Sequence, residues 1–305
     1  MTKFFHSAHW GISCALIAAF LFSSKAIVIK QVYQIAPHVD ATLLMALRIL
    51  CALPFFLLMA WYFRQQRQGT SWRDWGMLLA SGLIGYYLAS WLDFKGLMYI
   101  SASLERIILF LYPTLTVLAA RVIYGQPLNG RTWLALGLSY GGTLIVMLQE
   151  YRAHDVPDQL WLGASLVFAS AVAFAAYLLM TPPLIKKFGS WHFTGLVMSI
   201  ACMGTLAHFM VEVPMPLTTL TSLSTELWIY GLILGIFVTV IPTSLLIQSI
   251  ARLGPGQSAM IASVGPILTL IMAALVLSEQ LNSMQWFGCF LNIIGVLLIT
   301  VWKTK

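Results

Sequence analysis

The chain has 305 residues, of which 60% are hydrophobic and 9% charged, and a net charge of +7. A soluble domain carries roughly 25% charged residues, so water is excluded as the solvent for most of this surface. Lipid takes its place, and backbone polar groups must then be satisfied within the chain.

Apolar runs of about 20 residues select helices over barrel strands. Ten such runs follow in order, at approximately 10–30, 41–63, 74–94, 101–121, 132–149, 161–181, 192–211, 227–248, 257–277 and 285–302. At 1.5 Å per residue each reaches across most or all of a ~30 Å hydrocarbon core. The first run is too long for the apolar part of a signal peptide and no clear cleavage site follows it, so it reads as a retained anchor. The excess of Lys and Arg lies between the runs, which reads as cytoplasmic loops rather than a nucleic-acid surface.

With the N-terminus inside, the cytoplasmic face collects eleven cations: Lys3, Arg64, Arg67, Arg73, Arg121, Arg131, Lys186, Lys187, Arg252, Lys303 and Lys305. The outer side keeps six, Lys30, Lys95 and Arg152 together with Lys25, Arg48 and Arg106 within helices. Both termini are therefore expected in the cytoplasm. The four cysteines, Cys14, Cys51, Cys202 and Cys289, each lie inside an apolar run, and no Cys/His cluster has metal spacing. They read as packing residues, with neither a metal nor a cofactor expected.

The fourth run and its following turn, Ser101–Asn129, are written again at Gly254–Asn282. An ungapped shift of 153 positions lays Ile108 on Ile261, Pro113 on Pro266, Thr116 on Thr269, Asn129 on Asn282, Trp133 on Trp286 and Gly142 on Gly295. Pro, Asn and Gly punctuate helices, so these matches carry more than aligned leucines do. Helix one matches helix six at an offset of 152. The chain thus reads as a five-helix unit written twice, residues 1–149 and 161–305, with residues 150–160 as an extracytoplasmic linker. Five is odd, so the second unit must cross the membrane in the opposite sense, an arrangement typical of transporters. The spacings Gly137xxxGly141 and Gly231xxxGly235 suggest close helix contacts. The matched Pro113 and Pro266 suggest a hinge or cavity.

These residues resemble the EamA-type branch of the drug/metabolite transporter superfamily. The resemblance rests on Pro113…Gly125-Gln126-Pro127-Leu128…Trp133…Gly142 and Pro266…Ser278-Glu279-Gln280-Leu281…Trp286…Gly295. Arg48 early in helix two and the first-helix segment FLFSSKAIVIK also match, and the first copy has Gln126 where the second has Glu279. The resemblance implies an all-α integral membrane fold of ten transmembrane helices, two inverted five-helix repeats around a central cavity, working by alternating access. It also implies a monomer or homodimer in the plasma membrane, the inner membrane of a bacterium, exporting amino acids or similar metabolites.

Ionised groups at mid-membrane cost about 2.5–3.5 kcal/mol each on insertion scales and usually face a cavity and pair. Five stand out: Lys25, Arg48, Asp93, Glu105 and Arg106. The second half has no matching set; Tyr177 takes the place of Lys25. Three cations and two acids sum to +1, so two ion pairs are expected to leave one cation, Lys25, for a substrate carboxylate, with Arg48 structural. Asp93 or Glu105 can carry a coupling proton, unless transport runs by exchange. Tyr87, Tyr112 and Tyr177 are candidate cavity residues, and Trp91 and Phe94 suit an outer aromatic belt.

Helix one contains no acid, which argues against a cation-drug antiporter of the small multidrug type. No HExxH, GxSxG or GxxxxGK[ST] motif is present, so neither enzyme chemistry nor direct ATP drive is expected. A secondary transporter of amphipathic or carboxylate metabolites is the leading reading. A membrane enzyme or flippase acting on a lipid-linked substrate is the alternative.

Overall fold

The computed structural model describes residues 8–64, 70–124, 130–153, 157–262 and 264–302. Among these residues the chain is helical throughout, with no strands. Helices α1 (Ala8–Ile35) and α2 (Ala41–Tyr62) are long and apolar. Asp40 caps α2, its side chain accepting from the Leu43 amide at 2.8 Å. Then come α3 (Trp72–Gly82), a π-helical stretch at Leu83–Leu88, and α4 (Ala89–Gly96). Ser71 and Asp74 form a capping box at the start of α3. After α5 (Ala102–Leu109) and α6 (Tyr112–Tyr124) comes α7 (Gly130–Ala153).

The second half runs α8 (Pro157–Phe188), α9 (Ser190–Glu212) and a short α10 (Pro216–Thr221). It continues with α11 (Thr225–Leu232), a second π-helical stretch at Ile233–Val240, and α12 (Ile241–Ala262), which is kinked at Gly254. Helices α13 (Val264–Val276) and α14 (Ser283–Trp302) complete the described chain. Among the described residues seven helical spans are long and apolar enough to cross a membrane, and Trp133–Gln149, Val264–Val276 and Ser283–Leu298 are shorter apolar helices.

Two expectations change. The polar tract read as a linker is largely helical, because α7 continues to Ala153 and α8 begins at Pro157. The fourth run is two helices rather than one, broken at Phe110 and Leu111. A proline inside a helix removes a hydrogen bond and collides with the carbonyl four residues back, here that of Leu109. Ending α5 at Leu109 puts Pro113 in the first turn of α6, where a missing N–H leaves no bond unmade. Pro266, the matching proline, lies near the start of α13.

The helices pair across the two halves: α2 with α9, α7 with α14, α1 with α12 and α13, and α8 with α4 and α6. Glycines permit the closest approaches. A Cβ on Gly142 would lie 2.4 Å from the Gly288 carbonyl oxygen, and one on Gly295 would lie 2.4 Å from the Ser139 amide nitrogen. Asn292 donates to the Ser139 carbonyl at 3.1 Å and to the Thr143 hydroxyl at 2.8 Å at the same crossing. On α11 and the π stretch after it, Gly231 and Gly235 face α2, where a Cβ on Gly235 would meet the Arg48 carbonyl oxygen at 2.7 Å. The spacing Gly137xxxGly141, by contrast, marks no contact: nothing lies within 4 Å of an added Cβ at either position. That pair lies off the α7 face that meets α14; Gly142 lies on it.

Gly142→Leu and Gly295→Leu should each lower stability by about 1–3 kcal/mol or more, since backbone atoms cannot yield as side chains do. Gly137→Ala and Gly141→Ala should change it by less than about 0.5 kcal/mol. Thermal unfolding in detergent distinguishes the two pairs.

Candidate functional site

A cavity of about 130 Å³ lies between the halves. A water needs roughly 10–15 Å³ by the same measure, so the space suits a small metabolite. The wall is mostly apolar, with Ala15, Ala18, Ala19 and Phe22 from α1, Leu109, Phe110 and Tyr112 around the α5–α6 break, and Phe174 from α8. Its polar groups come mainly from the first half, with Ser170, Thr239 and Thr243 added by the second.

Lys25 sits at one end of the cavity, on α1. Ser23, two residues earlier, donates to the Gly265 carbonyl at 2.9 Å and holds α1 against α13. The Lys25 ammonium lies 2.5 Å from Asp93 Oδ2 on α4 and 3.3 Å from Glu105 Oε1 on α5. Asp93 is 2% exposed and Glu105 0%. Among the described residues Asp93 Oδ1 and Glu105 Oε2 have no hydrogen-bond partner, and Glu105 Oε1 has only the Lys25 ammonium. One ammonium therefore serves two buried carboxylates.

This differs from the expected two ion pairs with Lys25 left over. Helices α4 and α5 both face α1, so their acids converge on the same ammonium. Arg106 follows Glu105 and so projects about 100° further round α5, onto the cavity wall. Gly265 makes room for it: a Cβ there would lie 2.7 Å from Arg106 Nη2. Arg48 also reaches the cavity wall, its guanidinium 4.7 Å from the centre of the Phe94 ring. Neither arginine has an acid partner within 4 Å among the described residues, and the Nε of each lacks a hydrogen bond.

Of the three expected tyrosines, Tyr112 lines the cavity. Tyr87 packs edge-on against His208, 5.8 Å between ring centres. Tyr177 is fully buried among Tyr86, Phe174 and Phe193. Tyr86, next to Tyr87 in the π stretch, takes the cavity position. Phe94 is wholly buried beneath Arg48 rather than in an aromatic belt, because a guanidinium needs its face. Trp91 turns its indole N–H to Thr42 at 3.3 Å. The buried Pro113 and Pro266 shape the break but lie behind the wall, which takes Tyr112 and Ala262 beside them. The second-half contributors Phe174, Thr239 and Thr243 carry no charge to mark them in an apolar sequence, and sequence reasoning missed them.

Glu279 lies in the turn after α13 and reaches α5. Its carboxylate accepts from the Ala102 amide at 2.9 Å, the Ser103 amide at 3.2 Å and the Ser103 hydroxyl at 2.5 Å. Its counterpart Gln126 lies outside the described residues. At the opposite end of the spans, Lys187 on α8 donates to both oxygens of Asp74 at 2.6 Å.

Residues 9–148 and again residues 161–301 match the EamA-like transporter family. A Bacillus subtilis (strain 168) protein, "Uncharacterized transporter YcbK", is 30% identical over 281 residues, covering 90% of this chain and 87% of that protein. An "Uncharacterized transporter" of Synechocystis sp. is 24% identical over 329 residues, covering 97% of this chain and 94% of its own. One solved crystal structure superposes with a TM-score of 0.65, covering 97% of this chain and 99% of that one at 18% identity, a likeness of fold.

Lys25→Met should destabilise the protein by about 3–5 kcal/mol, since it strands two buried carboxylates. The triple change Lys25→Met, Asp93→Asn, Glu105→Gln should recover most of that loss, because no buried charge then lacks a partner. Thermal unfolding of the two variants in one detergent measures the difference.

Proposed function

The chain belongs to the EamA-like transporter family and is a multi-pass membrane protein, and we propose that it is a secondary transporter exporting small metabolites with a carboxylate and an apolar body, such as amino acids, by alternating access. The observation that carries this reading is a metabolite-sized cavity with apolar walls into which two guanidiniums project without an acid partner. Arginine offers a planar fork that matches a carboxylate. Arg106, with Gly265 leaving space beside it, is the receiver; Arg48, stacked on Phe94, sets the local positive charge. Lys25 is already engaged by Asp93 and Glu105 and serves instead to hold the acid pair.

Several features support ten spans in two inverted repeats. Each half carries a π-helical stretch in its third span, Leu83–Leu88 and Ile233–Val240. In the first half the fourth span contains a break just ahead of its proline, and the second half carries the matching Pro266. Ser139 and Asn292, which the 153-residue shift equates, touch each other, as equivalent residues do on a twofold axis. With the positive charge on the cytoplasmic side, both termini lie inside the plasma membrane, and a monomer or a homodimer suits this architecture.

The acid pair is the natural carrier of a coupling proton, since two buried carboxylates share the single Lys25 ammonium. Its proton would be taken up outside and released inside as substrate leaves by the opposite path.

In proteoliposomes, counterflow of tritiated leucine, phenylalanine and a series of monocarboxylates tests the reading; no counterflow with any of them would overturn it. Arg106→Gln should lower kcat/KM at least about tenfold, mainly through KM, the loss expected of a charged hydrogen bond. Glu105→Gln should retain counterflow and lose accumulation driven by a pH gradient.

A further inference from the structure

We infer that Glu279 is the latch of the outer gate: by fixing the first turn of α5 it positions Glu105 and Arg106 and holds the transport path closed to the outside. This rests on the transporter reading above and adds to it a residue from the opposite repeat.

An α-helix begins with four amides that have no partner within the helix. On α5 the Ser101 hydroxyl accepts from Leu104 N at 3.0 Å, and the Ser101 carbonyl takes the first intrahelical bond, from Glu105 N at 3.0 Å. The two amides before these, Ala102 N and Ser103 N, donate to Glu279. Two of the first three amides of the helix are therefore capped from 177 and 176 residues away. A carboxylate on helix N–H groups is favoured both by the ionised acceptor and by the positive end of the helix dipole.

The far side of the contact is itself anchored. Ser278 takes a left-handed φ of 57°, and the Glu279 amide donates back to the Ala273 carbonyl at 3.2 Å. The carboxylate thus hangs from a turn tied to the end of α13, and pulling it off α5 means moving one half against the other. Helix α5 is only eight residues long, ends at the break before Tyr112, and carries Glu105 and Arg106 within one turn of the capped residues. Releasing the cap frees the segment that contributes both to the cavity.

The equivalent chemistry is missing from the other copy. Moving back or forward by 153 positions replaces Glu279 with Gln126, Ala102 with Pro255 and Ser103 with Gly256. Glutamine carries no charge, proline has no amide hydrogen to donate, and glycine has no hydroxyl. Opening one side while closing the other would exchange equivalent contacts in a twofold bundle. An ionised cap present in one copy and not in its equivalent shifts the population toward the state in which it is made. Glu279 therefore biases the resting carrier toward closure at the outer end, the state in which an exporter loads from the cytoplasm.

The test uses the full-length protein with Cys14, Cys51, Cys202 and Cys289 replaced by alanine and Ser90→Cys on the cavity wall as reporter. Right-side-out and inside-out vesicles are treated with a membrane-impermeant thiol reagent. With Glu279 intact, labelling should be slow from outside and fast from inside. Glu279→Ala should raise the outside rate about tenfold or more and lower the inside rate, Glu279→Gln should fall between, and Ser103→Ala should give a smaller rise. An outside rate within about twofold of the parent for Glu279→Ala that still labels from inside would overturn the latch. If Glu279→Ala labels from neither side it has not folded, and Glu279→Gln and Ser103→Ala decide: a raised outside rate supports the latch, and unchanged rates in both remove it. Counterflow is measured on the same vesicles. Its absence with the accessibility shift intact strikes at the transport reading alone, and counterflow with unchanged accessibility strikes at the latch alone.

Discussion

An ammonium held by two carboxylates inside an apolar bundle ties three helices together at one point. Lys25, Asp93 and Glu105 belong to α1, α4 and α5, and each would be costly to leave in hydrocarbon without the others. Their requirement for one another places the charged end of the cavity as firmly as any apolar contact does. It also decides which cations remain for other work. Once Lys25 is committed, Arg106 and Arg48 are the charges left on the wall. The net charge of the cluster is then expressed where a ligand can reach it.

The second organising constraint is backbone rather than charge. A bundle in lipid must account for every amide and carbonyl, so interruptions of helices need explanation. The break before Pro113 gives the proline a position that requires no amide, and it exposes the turn around Phe110 to the cavity. The π stretch at Leu83–Leu88 packs Gly85 tightly against Tyr177 and brings Tyr86 to the wall. The hydroxyls of Thr239 and Thr114 return to carbonyls of their own segments, at 2.7 Å in each case. Irregular backbone collects where it lines the cavity, and the regular helices α7 and α14 form a tightly crossed pair away from it.

Much of this was legible from composition and spacing. Among the described residues the apolar runs fall on helical segments, since hydropathy reports directly on what lipid demands. The five intramembrane charges were visible because such residues stand out in an apolar run, and Lys25, Asp93 and Glu105 do meet. The pairing among them was not legible. It depends on how α4 and α5 are rotated toward α1, and the π stretch before α4 shifts that rotation in a way no local pattern announces. The glycine spacing misled for a similar reason: Gly137 and Gly141 fit a motif, yet α7 meets α14 along the face that carries Gly142. Adjacent tyrosines were likewise divided by orientation, Tyr86 to the cavity and Tyr87 to His208.

Duplication supplies two copies of a helical frame, and the chain then departs from symmetry where chemistry is needed. At the crossing of α7 and α14 the equivalent residues Ser139 and Asn292 are still both polar and serve one hydrogen-bonded contact. At the cavity the copies diverge completely: Lys25 faces Tyr177 in the alignment, and Glu105 and Arg106 face Ser258 and Ala259. The Glu279 cap diverges as well, with a proline in the position that would have to donate. A symmetric bundle would hold its two conformations at nearly equal energy. Charged contacts that differ between the two ends, Glu279 on α5 at one and Lys187 with Asp74 at the other, remove that degeneracy, so the proposed preference for one side rests on their balance.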